Sequence, residues 1–425
     1  MPQKLLLLFA CFASLPVFAQ DWPHWRGPEG NGTHPTAKPP IRWSQTENVV
    51  WSTAIPGRGS GSPIVSGDFV FVTTATAPGG KDPTPGRLDE RLSFRLLALD
   101  RKTGNIVWDR ICIEAIPHEG THSTNGFASS SPCTDGETVI AHFGSRGVYA
   151  YDLAGNRLWE RKDFAPMTTR AGFGEGSSPT IVDDLVIVPH DHEGPSKLYA
   201  IDLATGEDRW VVDRDEPTNW ATPLIVGVGD ARQVVMNGQT MARGYDLATG
   251  KELWRCGGQT QRPVASPVAN EDTVFVGSGF RGSFLGAFDF KGRGNLEGTP
   301  QVRWTIDRAT PDIASLLLSD DRLFFHQAKT GILSCVSAQS GQPFFFQQRL
   351  PAIRTTYASP VAAGGHVYAT GRSGVTVVLK DAPEFEVVAT NQVGEGVDAT
   401  PAIAGDAIFI RGERHLMCIA DRSIQ

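Results

Sequence analysis

The chain has 425 residues, 40% of them hydrophobic, with 46 Gly, 29 Pro and 10 Trp, a composition that excludes a disordered chain and demands a large buried core. Lys plus Arg number 39 against 46 Asp plus Glu, a net charge of −7, and no dense basic run follows the amino terminus, which argues against nucleic acid as a partner. The length would hold two or three domains or one propeller built from repeats, so the domain count turns on internal periodicity.

Residues 1–19 carry Lys4, then an apolar stretch, then Val17-Phe18-Ala19 with small residues at −3 and −1, the pattern of a cleaved secretory signal. A rival reading makes Leu8-Phe9-Ala10-Cys11 a lipoprotein box with Cys11 as lipid anchor; the ten residues before it are too few to favour it. No later stretch reaches the ~18 apolar residues of a membrane span. The expectation is therefore a secreted or periplasmic protein. The remaining cysteines, Cys112, Cys133, Cys256, Cys335 and Cys418, are odd in number and widely spaced, with no CxxC, CxxCH or adjacent pair. They read as small buried strand residues rather than disulfides, a redox pair or a metal site.

From residue 46 onward a turn-bounded apolar strand led by Ser-Pro or Thr-Pro keeps returning. Its starts are Ser62-Pro63, Ser131-Pro132, Ser178-Pro179, Thr222-Pro223, Ser266-Pro267, the degenerate Ser315-Leu316, Ser359-Pro360 and Thr400-Pro401. The mean spacing of about 48 residues suits four short strands and their turns. Each start leads into a β-hairpin, and a third strand then ends in Asp before a Thr-Gly turn: Asp100 with Gly104, Asp202 with Gly206, Asp246 with Gly250. Trp108, Trp210 and Trp254 follow at fixed distance. Trp159 arrives one residue early, Trp304 arrives after an insertion at 291–300, and Phe345 takes the sixth place. Rings recurring once per repeat are expected to pack between neighbouring blades.

The last repeat stops after its third strand, while residues 47–51 near the amino terminus supply a lone strand ending in Trp51. Pairing the two would close a ring and remove its open edges. The expected fold is all-β: one eight-bladed β-propeller over 46–425, preceded by a signal peptide (1–19) and an extension (20–45).

The repeat x-Asp-x-x-Thr-Gly-x-x-x-Trp resembles the tryptophan-docking motif of the pyrroloquinoline-quinone (PQQ) repeat family, and the opening Trp22-Pro23-His24-Trp25-Arg26-Gly27-Pro28 resembles the start of secreted bacterial members. The resemblance implies the propeller but not the activity, because the family holds both quinoprotein alcohol or sugar dehydrogenases and a non-catalytic scaffold of outer-membrane barrel assembly. It implies that a dehydrogenase would need PQQ, a divalent cation held by carboxylate and amide oxygens, a catalytic Asp and a vicinal disulfide. This chain lacks adjacent cysteines and an obvious cation-binding run. No catalytic or metal residue is assigned.

In a propeller, loops feeding the innermost strands converge on the channel mouth. Those loops supply Arg58, His118, His122, Asn125, Arg170, Glu175, Asn219, Trp220, Arg262, Asp312, Arg354, Tyr357, Glu395 and Asp398. Four arginines from different repeats would suit an anionic or polyhydroxylated ligand; alternatively, these groups pair among themselves as channel filling. His118-Glu119-Gly120-Thr121-His122 spells the zinc-helix pattern HExxH, but Pro117 and Gly120 oppose a helix, so a long loop is expected. His190-Asp191-His192-Glu193 reads as a solvated turn. Asn31-Gly32-Thr33 matches a glycosylation sequon, which carries little weight if the source is bacterial, as the resemblance implies. The reading is a monomeric binding or scaffolding module for a protein partner or a small polar ligand, without a cofactor. The alternative is a small PQQ-dependent dehydrogenase.

Overall fold

The computed structural model describes residues 21–84 and 87–421; the expected signal peptide (1–19) and Cys11 lie outside them. Eight sheets follow one another, each with four antiparallel strands whose innermost member begins just after a Ser-Pro or equivalent start. Blade 1 shows the plan: Ile64–Ser66, Phe69–Thr76, Leu92–Asp100 and Ile106–Ala115. Its middle strands are buried almost throughout while its outer strand alternates, as expected where two faces meet neighbouring blades and one edge meets water. Among the described residues no helix is long and apolar enough to cross a membrane.

The ring closes as the sequence implied. Val49–Ala54 pairs antiparallel with His415–Ala420, placing Trp51 opposite Cys418, so the amino-terminal strand is the outermost strand of blade 8. The tryptophans lock each blade to the next. Each indole N–H donates to a main-chain carbonyl just after the third strand of the following blade: Trp51 to Arg101, Trp108 to Leu153, Trp159 to Leu203, Trp210 to Leu247 and Trp304 to Ala338, at 2.8–3.0 Å. Under each ring lies the turn glycine. At Gly250 φ is +73° and a Cβ would stand 2.7 Å from the Trp210 ring, so the position excludes a side chain on two counts. Trp254 departs from the pattern. Its indole donates to Gln233, whose amide passes the contact on to the carbonyl of Phe290. The insertion beyond Phe290 lays Gly294–Asn295 along the outer edge of blade 4, parallel to Trp254 and Arg255.

The extension before the first blade is built into the core. Trp22 is wholly buried and bridges Val65 of blade 1, and Thr33–His34 joins the inner edge of blade 7 in parallel. Between them Pro23 accepts a hydrogen bond from Thr134 of blade 2, His24 meets Thr180 of blade 3, and Arg26 donates to carbonyls of blades 6 and 7. The segment thus crosses the channel at one end. All five described cysteines are buried free thiols.

Candidate functional site

The inner strands start with a hydroxyl residue, and these eight residues form one closed cycle. Backbone N–H groups donate in turn from Ser62 to Ser131, Ser178, Thr222, Ser266, Ser315, Ser359, Thr400 and back to Ser62, each received by the next blade's side-chain hydroxyl at 2.8–3.2 Å. Ser315, which lacks the following proline, keeps its place in the cycle. The local reason is that the first strand enters at the crowded axis, where its leading amide has no strand partner and needs an acceptor.

This cycle floors a central cavity of about 370 Å³. Seven of its hydroxyl residues, Ser315 being the exception, line the cavity together with Trp25 of the crossing segment. The walls are aromatic and come from inter-blade loops and, at Phe280, from a hairpin of blade 5. His122 stands edge-on to Phe173 at 4.9 Å, Phe173 lies 6.5 Å from Trp220, and the Trp220 indole donates to the Gly174 carbonyl. Facing them, the Arg262 guanidinium sits 3.5 Å from the centre of the Phe280 ring and that of Arg372 4.2 Å from the centre of Tyr357. Thr124 links His122 to the Tyr357 hydroxyl, so the loop before blade 2 touches the loop before blade 7 across the mouth.

The charges are mostly matched. Arg262 pairs with Asp312 at 3.2 Å, and Arg372 engages both oxygens of Asp398 at 2.6 and 3.0 Å. Burial raises the Asp312 pKa against the pull of Arg262 and Lys329. Lys329, exposed on the rim, has no ion-pair partner among the described residues.

Of the residues singled out from sequence, His122, Asn125, Trp220, Arg262, Tyr357 and Asp398 line the cavity. Asp312 reaches it through Arg262. The others are placed elsewhere. Arg58 is fixed by its backbone to Ala75, Arg170 bonds Gln239 and Gln261, and Arg354 is exposed. Asn219 is buried against Asp191 and Asn237, while Glu395 binds His415 within blade 8. Of the four arginines only Arg262 lines the cavity, while Arg170 meets Arg262 at Gln239, whose side-chain oxygen accepts from the Arg170 guanidinium and the Arg262 backbone N–H. Phe173, Phe280, Lys329, Arg372 and Trp25 were missed. Arg372 and Phe280 lie in hairpins rather than inter-blade loops, and Trp25 precedes the first repeat.

The HExxH segment is a loop, as expected, and not a helix. It brings His118, Glu119 and Glu175 together so that their ligand atoms lie within 4.8 Å of one another. Each is already engaged: His118 with the Met167 carbonyl, Glu119 with the amide and hydroxyl of Thr169, and Glu175 with Ser145 and Arg146. The expectation of a solvated turn at 190–193 is corrected. His190, Asp191 and His192 are buried, because the loop before blade 3 folds over them and Asp191 forms a sealed double contact with Arg214.

Comparison with known proteins agrees with this architecture. A family model described as outer membrane protein assembly factor BamB matches residues 41–172 and 168–347. No curated protein matches. Among solved structures, BamB from Moraxella catarrhalis is similar at 13% identity and TM-score 0.57, over 88% of this chain and 98% of that one. A europium-containing methanol dehydrogenase is similar at 12% identity and TM-score 0.65, over 92% and 89%. The quinohemoprotein alcohol dehydrogenase from Comamonas testosteroni is similar at 11% identity and TM-score 0.65, over 94% and 80%. At these identities the likeness is one of fold.

Proposed function

The chain belongs to the BamB family of PQQ-like repeat propellers, and from that premise we propose that it is a non-catalytic binding module, secreted or periplasmic and monomeric, that takes a polyhydroxylated ligand in its central cavity. The observation that carries this reading is the cavity itself: aromatic walls at Phe173, Trp220, Phe280 and Tyr357 over a floor of hydroxyl groups. Rings offer apolar faces to the C–H surfaces of a sugar-like ligand while hydroxyls and charged groups fix its oxygens. Family membership also supports a protein partner. The exposed Ile106, Val107 and Ile111 on the outer strand of blade 1 are where such docking is expected.

The dehydrogenase alternative requires a cation cage beside PQQ. The chain's residues do not fit one. Asp398, the carboxylate lining the cavity, is occupied on both oxygens by Arg372, and the His118, Glu119 and Glu175 group is satisfied by protein donors and acceptors. The five cysteines lie on strands of five different blades. Calorimetric titration with neutral oligosaccharides tests the proposal, with loss of binding expected in Trp220→Ala. Dye-linked alcohol or sugar oxidation after addition of PQQ and Ca²⁺ or a lanthanide would overturn it.

A further inference from the structure

The hydroxyl cycle has a property that its role in the fold does not use. Each Oγ accepts one neighbouring N–H, and among the described residues none of the eight O–H groups donates to a protein acceptor. A hydroxyl has one proton and two lone pairs, so each member of the cycle keeps its proton and one lone pair for a ligand, and an oxyanion, which only accepts, would take the proton. Trp25, a residue of the cavity lining, carries an indole N–H that is buried without a partner, and this group only donates.

Beside the floor lies an uncompensated charge. Arg26 is 2% exposed and bonds only main-chain carbonyls, those of Asn31, Leu316 and Pro360, the last two being the residues directly after ring members Ser315 and Ser359. Among the described residues no carboxylate pairs with it, and burial alone pulls its pKa down to about 9. A buried cation without a partner is costly unless an anion comes near. Lys329 adds a second unpaired positive charge at the rim, so the cavity is positive within a chain of net charge −7.

We propose that the cavity floor is an oxyanion seat, where a phosphate or carboxylate group of the ligand lies near the propeller axis and accepts hydrogen bonds from ring hydroxyls and the Trp25 indole, in the field of Arg26. This deepens the proposed function and rests on it only in placing the ligand in the central cavity. Charge-assisted hydrogen bonds to oxyanions are the strong class, and a ring of donors with fixed positions has little ordering cost on binding.

Inorganic phosphate is the probe, titrated calorimetrically into the full mature chain at constant ionic strength. Saturable binding with one site per chain is expected, competed by sulfate. Trp25→Phe, which keeps the ring and deletes the donor, should weaken phosphate at least fivefold with little change in melting temperature. Arg26→Gln should weaken it more where it folds. Absence of phosphate binding, or equal affinity in Trp25→Phe, overturns the seat. Trp220→Ala should lose neutral oligosaccharides but keep phosphate. Phosphate binding without any saccharide binding would thus sink the proposed function and leave the seat standing; the reverse would sink the seat alone.

Discussion

The backbone N–H of Thr400 donates to the Oγ of Ser62 at 2.9 Å, joining residues 338 apart in sequence. That bond completes the hydroxyl cycle at the axis, while Val49–Ala54 completes blade 8 at the rim. Closure is therefore made twice, at the inner and the outer radius. Ser62→Ala should leave the Thr400 amide buried without an acceptor and cost about 1–3 kcal/mol in chemical denaturation. Deleting residues 46–55 should lower the stability of the whole domain in one transition rather than fray one end, as read by calorimetry and hydrogen exchange.

Trp254 is fully buried and Trp210 docks on Gly250, so both rings serve the interfaces between blades. Either change to Ala should cost about 3–5 kcal/mol, as large-to-small core substitutions do. A loss below about 1 kcal/mol would show that the rings are not interface anchors.

Buried imidazoles make stability fall in acid. Burial lowers the pKa of His142 and His326 to about 4 and, with help from the charges of His192 and His142, that of His190 to about 3, against 6.5 unfolded. The unfolded chain takes up protons first, so this stabilisation is complete above pH 6.5 and is lost as pH falls towards 4. Each histidine contributes up to about 1.4 kcal/mol per pH unit within that window. Urea denaturation at a series of pH values should show the slope, and His326→Asn should reduce it.

Tyr357→Phe should remove the contact to Thr124 that spans the cavity mouth. The expected cost is small, about 0.5–1.5 kcal/mol, with faster hydrogen exchange confined to the loop around residues 121–126. Unchanged exchange there would mean that His122 and Phe173 alone hold the loop.

What could be read from the sequence was whatever repeats. The hydroxyl starts, the turn aspartates and the tryptophans recur because every blade faces the same packing problem, and even Ser315 without its proline kept its place. The site was legible only in part, because offset from a start does not fix position once loops differ. Arg170 stands eight residues before Ser178 and Arg262 four before Ser266, and only Arg262 lines the cavity. Arg372 gave no signal, since its importance comes from stacking on Tyr357, which is distant in sequence. The burial of His190 to His192 was hidden for the same reason: the loop covering them belongs to the preceding repeat connection.

The segment from Trp22 to His34 gives the channel a direction. With one end stoppered by Trp25 and Arg26, the central space is a blind well and not a conduit. Whatever enters past His122 and Tyr357 must leave by the same opening, so arrival and departure share one bottleneck. A substitution that narrows that opening should slow both in proportion and leave the equilibrium affinity unchanged, whereas a channel open at both ends would go on exchanging ligand through its other mouth.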